Sequence, residues 1–268
     1  MMKKFVGLTW LSVVIIFAAC RQSGEHTAPD NNLALLPGGP AWGALYQQRA
    51  GEYKALCYQA YNIAKLRLEE YARQKSSLPK AIITDIDETV LDNSPYFVDR
   101  AKKGETYSDS SWIEWTAQLK CDTVPGAVRF LKHAQELGVT VFYVTNRFAK
   151  ERQATLENLR KFGLPNTDDA HLFLMGEGGS SKENRRKAIR KTHNVLLLMG
   201  DNLGDFSKDF DVADPAMRTA QAGNNINNFG SRFIIFPNTM YGSWEDRLYQ
   251  KGERSLNDKN NILKALIK

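Results

Sequence analysis

The chain alternates between short apolar runs and longer segments in which apolar residues recur at helical spacing. A first helical segment extends from Trp42 to about Lys75 without an internal proline. Short apolar, β-branched runs then occupy residues 81–84, 139–144, 171–175, 195–199 and 232–236. The segments between them are predicted helices at 125–138, 149–162 and 182–191, the first beginning at Pro125. This alternation predicts an α/β fold with a doubly wound, mostly parallel sheet and helices on both faces.

The segment 92–123 departs from the alternation. It places Tyr96, Phe97 and Trp112 among charged residues and contains no long apolar run. We interpret it as a small helical cap inserted above the sheet. An ordinary long connection packed on a helix is the alternative.

The first 40 residues differ in composition from the rest. Lys3 and Lys4 precede an apolar stretch that ends abruptly before Cys20. A membrane span needs about 20 apolar residues, so this shorter run predicts a signal peptide over residues 1–19. Residues 20–40 are polar and rich in proline and glycine, which predicts a flexible tether before a folded domain over 41–268.

Cys20 follows the predicted cleavage position directly and resembles the cysteine of a bacterial lipobox. That resemblance implies a thiol that carries lipid and an exported protein anchored to the cell envelope through its N-terminus. Arg21 is not a strong inner-membrane retention signal, which favours the outer membrane. A plain secretory signal with an incidental cysteine is the alternative.

Composition and charge indicate a globular protein that is not expected to bind a nucleic acid polymer. The chain has 268 residues, of which 43% are hydrophobic and 25% are charged, enough for one globular domain with a sizeable core. Loss of residues 1–19 removes only Lys3 and Lys4 from the charge count, so the net charge falls from +6 to about +4. The chain lacks a Lys/Arg tract, so a nucleic acid polymer is not an expected partner.

The remaining cysteines, Cys57 and Cys121, leave two alternatives open. An exported protein could join them in a disulfide, or both could be buried free thiols. The spacing of cysteines and histidines does not match a zinc site.

Polar and charged side chains follow each of the first four predicted strands. They are Asp85 and Asp87 after the first, Thr145 and Asn146 after the second, Lys182 after the third, and Asp201 and Asp205 after the fourth. Ligands of such sheets bind at the carboxyl ends of the strands. We therefore expect these side chains to converge on one pocket.

Their chemistry matches phosphate monoesters. These esters are dianions and resist attack by a carboxylate until a cation offsets their charge. Asp85 and Asp201 provide hard oxygen ligands suited to Mg²⁺. Asp85 could then attack phosphorus, while Asp87 protonates the leaving oxygen and later activates water. Thr145 and Lys182 would hold the phosphoryl oxygens.

Residues 85–96, Asp-Ile-Asp-Glu-Thr-Val-Leu-Asp-Asn-Ser-Pro-Tyr, and 198–206, Leu-Met-Gly-Asp-Asn-Leu-Gly-Asp-Phe, resemble the paired signatures of class C acid phosphatases. These are bacterial lipoprotein phosphatases in the four-aspartate group of the haloacid dehalogenase superfamily. The resemblance covers the chain from about Trp42 to the C-terminus. It implies a haloacid dehalogenase-like Rossmannoid core, with Asp85 as the nucleophile of an aspartyl-phosphate mechanism and Asp87 as the acid and base.

The resemblance also implies a ligand set. Asp85, the backbone carbonyl of Asp87, and Asp201 would bind Mg²⁺, and Asp205 would support a metal-bound water. The phosphate-binding residues would be Thr145, Asn146 and a lysine. Lys182 is our choice for that lysine, and Lys187 is the alternative because the preceding Gly/Ser-rich loop permits more than one alignment.

Members of this family often prefer nucleoside 5′-monophosphates. Residues 237–244 resemble the family's late loop, whose aromatic residue lies near the base. We therefore expect Tyr96, Trp112 and Tyr241 to stack on the base; the alternative is that they only pack the cap. The same residues leave two other functions open, a phosphotransferase on the same scaffold and a surface lipoprotein that binds haem or nucleosides. The sequence also leaves a homodimer open.

Overall fold

The computed structural model describes residues 34–176, 179–249 and 254–267. The predicted signal peptide, Cys20 and most of the predicted tether lie outside these ranges. The strands are β1 (Lys80–Thr84), β2 (Leu91–Asp92), β3 (Asp122–Thr123), β4 (Thr140–Val144), β5 (Leu172–Phe173), β6 (Asn194–Gly200) and β7 (Phe233–Ile235). The helices are α1 (Gly38–Arg49), α2 (Gly51–Ala72), α3 (Ser94–Lys102), α4 (Asp109–Ala117), α5 (Ala127–Glu136), α6 (Arg152–Lys161), α7 (Glu183–Arg190), α8 (Pro215–Asn224), α9 (Ser243–Asp246) and α10 (Leu256–Leu266).

The central sheet has five parallel strands in the order β5-β4-β1-β6-β7. The chain runs outward from β1 through β4 to β5, then returns to the other side of β1 for β6 and β7. The order therefore reverses between β1 and β6, which is where a doubly wound sheet opens a binding crevice. The residues that follow these two strands are Asp85 and Asp201.

Hydrophobic clusters cover both faces of the sheet. Ile82 and Leu197 belong to one cluster, together with buried residues of α2 and α5. Ile83 and Leu198 belong to the other. Neighbouring strand residues point to opposite faces, so each strand contributes to both clusters. The predicted α/β architecture with helices on both faces is confirmed.

The predicted tether and first helix differ from the structure. The helical segment is two helices, because Ala50 adopts an extended conformation between α1 and α2. The predicted end of the tether at residue 40 is wrong, because α1 begins at Gly38 and Leu36 is already buried. The Asn260 side chain binds both the backbone N–H and the carbonyl of Leu36. Pro40 is tolerated because N–H groups of a first helical turn have no intrahelical acceptor.

Helix α5 begins at Ala127, two residues later than predicted. Gly126 precedes it with φ of 97°, a left-handed conformation that favours glycine. A Cβ atom at this position would also lie 2.9 Å from the ring of Tyr61. The turn into α5 therefore requires glycine, and Pro125 lies in that turn and not in the helix.

The predicted cap is a helical insertion. Helices α3 and α4 lie between β2 and β3, which pair as a short antiparallel ribbon. Helix α1 packs on α3 and connects the cap to the N-terminal part of the fold. Among the residues that the structure describes, there is no helix of the length and hydropathy needed to cross a membrane.

Candidate active site

Three aspartates meet at the carboxyl ends of β1 and β6. Carboxylate oxygens of Asp85, Asp201 and Asp205 all lie within 4.8 Å of one another. Asp205 is in a 3-10 turn, where its Oδ2 accepts a hydrogen bond from the backbone N–H of Asn202 at 2.9 Å. Its carboxylate packs against the backbone of Gly200, and a Cβ atom there would collide with it. The structure thus brings together the three aspartates that the sequence singled out.

The positive charge of Lys182 only partly offsets the negative charge of the three aspartates. Burial raises the pKa of Asp85 well above its ordinary value; Asp205 and Asp201 add to this, while Lys182 opposes it. Burial, followed by the charge of Asp205, raises the pKa of Asp201 to about 7. Such a group of buried carboxylate oxygens fits a hard divalent cation such as Mg²⁺.

The lysine that reaches the cluster is Lys182. Its side chain is almost fully buried, and Nζ lies 2.6 Å from both Asp85 Oδ1 and Asp205 Oδ1. One ammonium group therefore offsets part of the charge of both carboxylates. Lys187 instead pairs with Glu183 at 3.5 Å and is 57% exposed. Of the two candidates, only Lys182 is positioned to contact a bound phosphate.

Asp87 lies beside the cluster and pairs with Arg147. Arg147 is buried, and its Nη2 lies 2.7 Å from Asp87 Oδ1. The Thr145 hydroxyl lies 3.5 Å from Asp87 Oδ2 and accepts a hydrogen bond from the Arg147 backbone N–H at 3.1 Å. Arg147 has no predicted role from the sequence, although its position directly after Thr145 and Asn146 was an available signal.

Asn146 points toward solvent and is held by another arginine. Arg185, from α7, donates from Nη2 to Asn146 Oδ1 at 2.7 Å and from Nη1 to the carbonyl of Thr145 at 2.5 Å. Arg185 therefore fixes the loop that follows β4. Sequence reasoning missed it, because four basic residues lie on this helix and only the fold shows which one faces the loop.

A cavity of about 470 Å³ opens above these groups. Its polar side is lined by Asp85, Asp87, Thr145, Asn146, Lys182, Asp201 and Asp205. Aromatic residues of the cap and the late loop, namely Phe97, Tyr107, Trp112 and Tyr241, line the same cavity. The predicted convergence of the strand ends on one pocket is therefore observed.

The aromatic residues do not all take the positions expected of them. Tyr241 and Trp112 line the cavity, and the Tyr241 ring stacks on Phe97 with centroids 4.8 Å apart. Tyr96 is 1% exposed and does not line the cavity; its hydroxyl bonds to Ser111 Oγ at 2.8 Å. The expectation that Tyr96 stacks on substrate is therefore wrong, because its ring packs inside the cap. Phe97, the next residue along the chain, lines the cavity instead.

The late loop is tied to the site by two contacts. Asn238 donates from Nδ2 to Asp201 Oδ2 at 2.8 Å. The hydroxyl of Tyr241 donates to Oε2 of Glu88, a fully buried residue in the left-handed conformation with φ of 56°. Burial, with the charge of Asp87 next, raises the pKa of Glu88 well above its ordinary value. Tyr241 therefore contacts a buried residue through its hydroxyl and lines the cavity.

The two cysteines are free, buried thiols, which resolves the alternative left by the sequence. Burial raises the pKa of Cys57 to about 11 and that of Cys121 to about 12. Thiols with raised pKa values are poor nucleophiles at neutral pH. Cys121 Sγ lies 3.0 Å from Asn93 Oδ1, within the network around Asp87.

Comparison with known proteins gives consistent similarities. The model of the family described as HAD superfamily, subfamily IIIB (Acid phosphatase) matches residues 41–244. The class C acid phosphatase from Bacillus anthracis has a similar structure, with a TM-score of 0.83 and 35% identity over 87% of this chain and 98% of that chain. A second structure of that enzyme, with tungstate bound, has a TM-score of 0.83 and 36% identity over the same shares.

Curated relatives are more distant. Acid phosphatase 1 of Solanum lycopersicum is 28% identical over 131 residues, which are 46% of this chain and 50% of the tomato protein. The class B acid phosphatase of Aggregatibacter actinomycetemcomitans is 27% identical over 156 residues, 55% of this chain and 66% of that protein. Vegetative storage protein 2 of Arabidopsis thaliana is 26% identical over 58% of this chain and 59% of its own length. The chain thus spans about half to two thirds of the length of the curated relatives it matches.

Proposed function

Because the chain belongs to the acid phosphatases of subfamily IIIB in the haloacid dehalogenase superfamily, we propose that it hydrolyses phosphate monoesters with the help of Mg²⁺. The observation that carries the proposal is the cluster of Asp85, Asp201, Asp205 and Lys182 at the base of one cavity. Tungstate, the ligand named for the Bacillus anthracis relative, is a tetrahedral oxyanion like phosphate. The relatives of this chain include a vegetative storage protein, so the fold by itself does not establish phosphatase activity. The support for activity is therefore the set of residues in the site.

The proposed nucleophile is Asp85. It follows β1 at the switch point of the sheet and faces the cavity. Asp85, the backbone carbonyl of Asp87, Asp201 and Asp205 would hold the cation, whose charge offsets that of a phosphate dianion. Attack by a carboxylate oxygen of Asp85 on phosphorus forms an aspartyl-phosphate as the bond to the leaving oxygen breaks.

Lys182 and Thr145 are the proposed phosphate-binding residues. Lys182 places a buried ammonium group at the aspartates, and Thr145 lines the same cavity. Donors that are held in place before reaction stabilise the charge on the phosphoryl oxygens without reorganisation. Arg185 supports this arrangement by holding the carbonyl of Thr145 and the amide of Asn146.

Asp87 is the proposed acid and base. It lies two residues beyond Asp85, lines the cavity and contacts Thr145. In the first half of the reaction it would protonate the leaving oxygen, and in the second it would take a proton from the water that attacks phosphorus.

We propose nucleoside 5′-monophosphates as the substrate class. Phe97, Trp112 and Tyr241 line the same cavity as the aspartates, so a flat base attached through a sugar could reach these rings while its phosphate binds at the aspartates. Stacking of a base on an aromatic side chain contributes about 1–3 kcal/mol. Stacking depends on the flat face of the base, which purines and pyrimidines share, so nucleotides of both kinds should be accepted.

We also propose that the protein is exported and anchored to the cell envelope by lipid on Cys20, with the outer membrane favoured. The support is the order of Lys3 and Lys4, the apolar stretch and the cysteine directly after it.

The test of the proposed reaction is hydrolysis of p-nitrophenyl phosphate by the wild type and by Asp85→Asn, with Mg²⁺ and with EDTA. We expect turnover only by the wild type with Mg²⁺, because an amide cannot attack phosphorus. Acid quenching during turnover should trap phosphate on the wild type and not on the variant. If Asp85→Asn keeps more than about a thousandth of wild-type turnover, Asp85 is not the nucleophile; losing an acid or base alone costs about 10²–10⁴-fold.

A further inference from the structure

Asn93 connects the cap to Asp87. It is fully buried directly before α3, and its Oδ1 accepts hydrogen bonds from Trp115 Nε1 at 2.9 Å and from Cys121 Sγ at 3.0 Å. Its Nδ2 donates to Asp87 Oδ1 at 2.9 Å. Trp115 is in the cap helix α4, and Cys121 directly precedes β3. One side chain thus contacts both the cap and the proposed acid and base.

The cap sets the orientation of this amide. An indole N–H is only a donor, so Asn93 must turn its oxygen toward Trp115. The amide nitrogen then faces Asp87, where it can only donate. A flipped amide would leave the indole N–H facing another donor, with both groups buried and unpaired, which is costly.

The two oxygens of Asp87 are not equivalent. Oδ1 accepts the two shortest bonds, from Arg147 Nη2 at 2.7 Å and from Asn93 Nδ2 at 2.9 Å. Oδ2 has longer contacts, 3.1 Å to Arg147 Nε and 3.5 Å to Thr145 Oγ1. Asn93 and Arg147 thus hold Oδ1 most closely, and Oδ2 is the oxygen that faces Thr145.

We propose that Asn93 is a positioning residue for proton transfer by Asp87, because it occupies Oδ1 and leaves Oδ2 to exchange the proton. This rests on the proposed role of Asp87 as acid and base. As the bond between phosphorus and the leaving oxygen breaks, its electron pair stays on that oxygen, which takes the proton from Oδ2. When water attacks, it bonds to phosphorus and gives a proton to Oδ2, while the electron pair of the phosphorus bond returns to Asp85.

The test compares an alkyl ester, glycerol phosphate, with an aryl ester, p-nitrophenyl phosphate, because only the alkoxide needs the proton to leave. For Asn93→Ala we expect kcat on the alkyl ester to fall about tenfold more than on the aryl ester, the size of one lost hydrogen bond to a charged group. KM should stay unchanged on both. Trp115→Phe removes one of the two donors that orient Asn93 and should show the same pattern with a smaller loss.

The matched control is Asn158→Ala. Asn158 is also a buried asparagine that joins the cap to the core, since its Nδ2 donates to the carbonyl of Thr116 at 3.1 Å, but it does not contact Asp87. This variant should lower Tm without changing the ratio of the two kcat values. A changed ratio in Asn158→Ala would show that any loosening of the cap has this effect, and would overturn the specific role of Asn93.

A double substitution separates this inference from the proposed function. In an Asp87→Asn background, Asn93→Ala should cause no further loss on the alkyl ester, because its effect passes through Asp87. Equal losses on both esters in Asp87→Asn alone would refute the acid role, and the inference with it. A selective loss in Asp87→Asn but equal losses in Asn93→Ala would overturn the inference alone. If Asn93→Ala does not fold, Trp115→Phe decides: an unchanged kcat ratio in that folded variant overturns the proposal.

Discussion

Tyr241 is expected to have two separable roles, and two substitutions distinguish them. Its ring lines the cavity and stacks on Phe97, while its hydroxyl donates to the buried carboxyl group of Glu88. Tyr241→Ala removes both contributions. Tyr241→Phe keeps the ring and removes only the hydroxyl, so it leaves Glu88 Oε2 without that donor.

The magnitudes follow from these contacts. Base stacking of about 1–3 kcal/mol corresponds to roughly 5- to 150-fold in kcat/KM. Tyr241→Ala should reduce the preference for 5′-AMP over glycerol phosphate by a factor in that range. Tyr241→Phe should keep the preference but lose about 1–3 kcal/mol of stability, the cost of leaving a buried polar group without its partner. At about 2–4 °C per kcal/mol, its Tm should fall by about 2–12 °C.

The assay measures kcat/KM for 5′-AMP and glycerol phosphate with each variant, together with Tm. Tyr58→Ala is the matched control, because Tyr58 is a tyrosine of α2 that is 45% exposed and does not line the cavity. It should change neither the substrate preference nor the turnover. An unchanged preference in folded Tyr241→Ala would mean that these rings only pack the cap, and the enzyme would then be a nonspecific phosphatase.

Three further outcomes are expected. Lys182→Met should lower kcat for p-nitrophenyl phosphate by about 10²–10³-fold, as loss of one preorganised donor does, whereas Lys187→Met should match the wild type; similar losses in both would refute the choice between them. Asp201→Asn should raise the Mg²⁺ concentration that gives half-maximal turnover by at least about 10-fold, and an unchanged Mg²⁺ titration would remove Asp201 from the ligand set. Cys20→Ala should release the protein from membranes, since each buried CH₂ of an acyl chain contributes roughly 0.8 kcal/mol; a variant that still sediments with membranes after a salt wash would refute the lipid anchor.

Local patterns in the chain were enough to predict the sheet and the aspartates. The apolar runs before Asp85 and Asp201 identified β1 and β6, and parallel strands necessarily bring their carboxyl ends to one edge. Gly200 could be read as part of the same motif, and the structure shows that Asp205 packs over it. These features depend on contacts within a few residues or on the regular geometry of a sheet.

The partners of these aspartates depended on side-chain directions that no local pattern specifies. Arg147 turns inward to Asp87, and Arg185 reaches back to the loop after β4. Tyr96 and Phe97 are adjacent aromatics in the cap, yet only Phe97 lines the cavity. Neighbouring residues of a helix point about 100° apart, so the orientation in which α3 packs selects the ring that faces the cavity. That angle comes from packing against residues distant in sequence, such as those of α1.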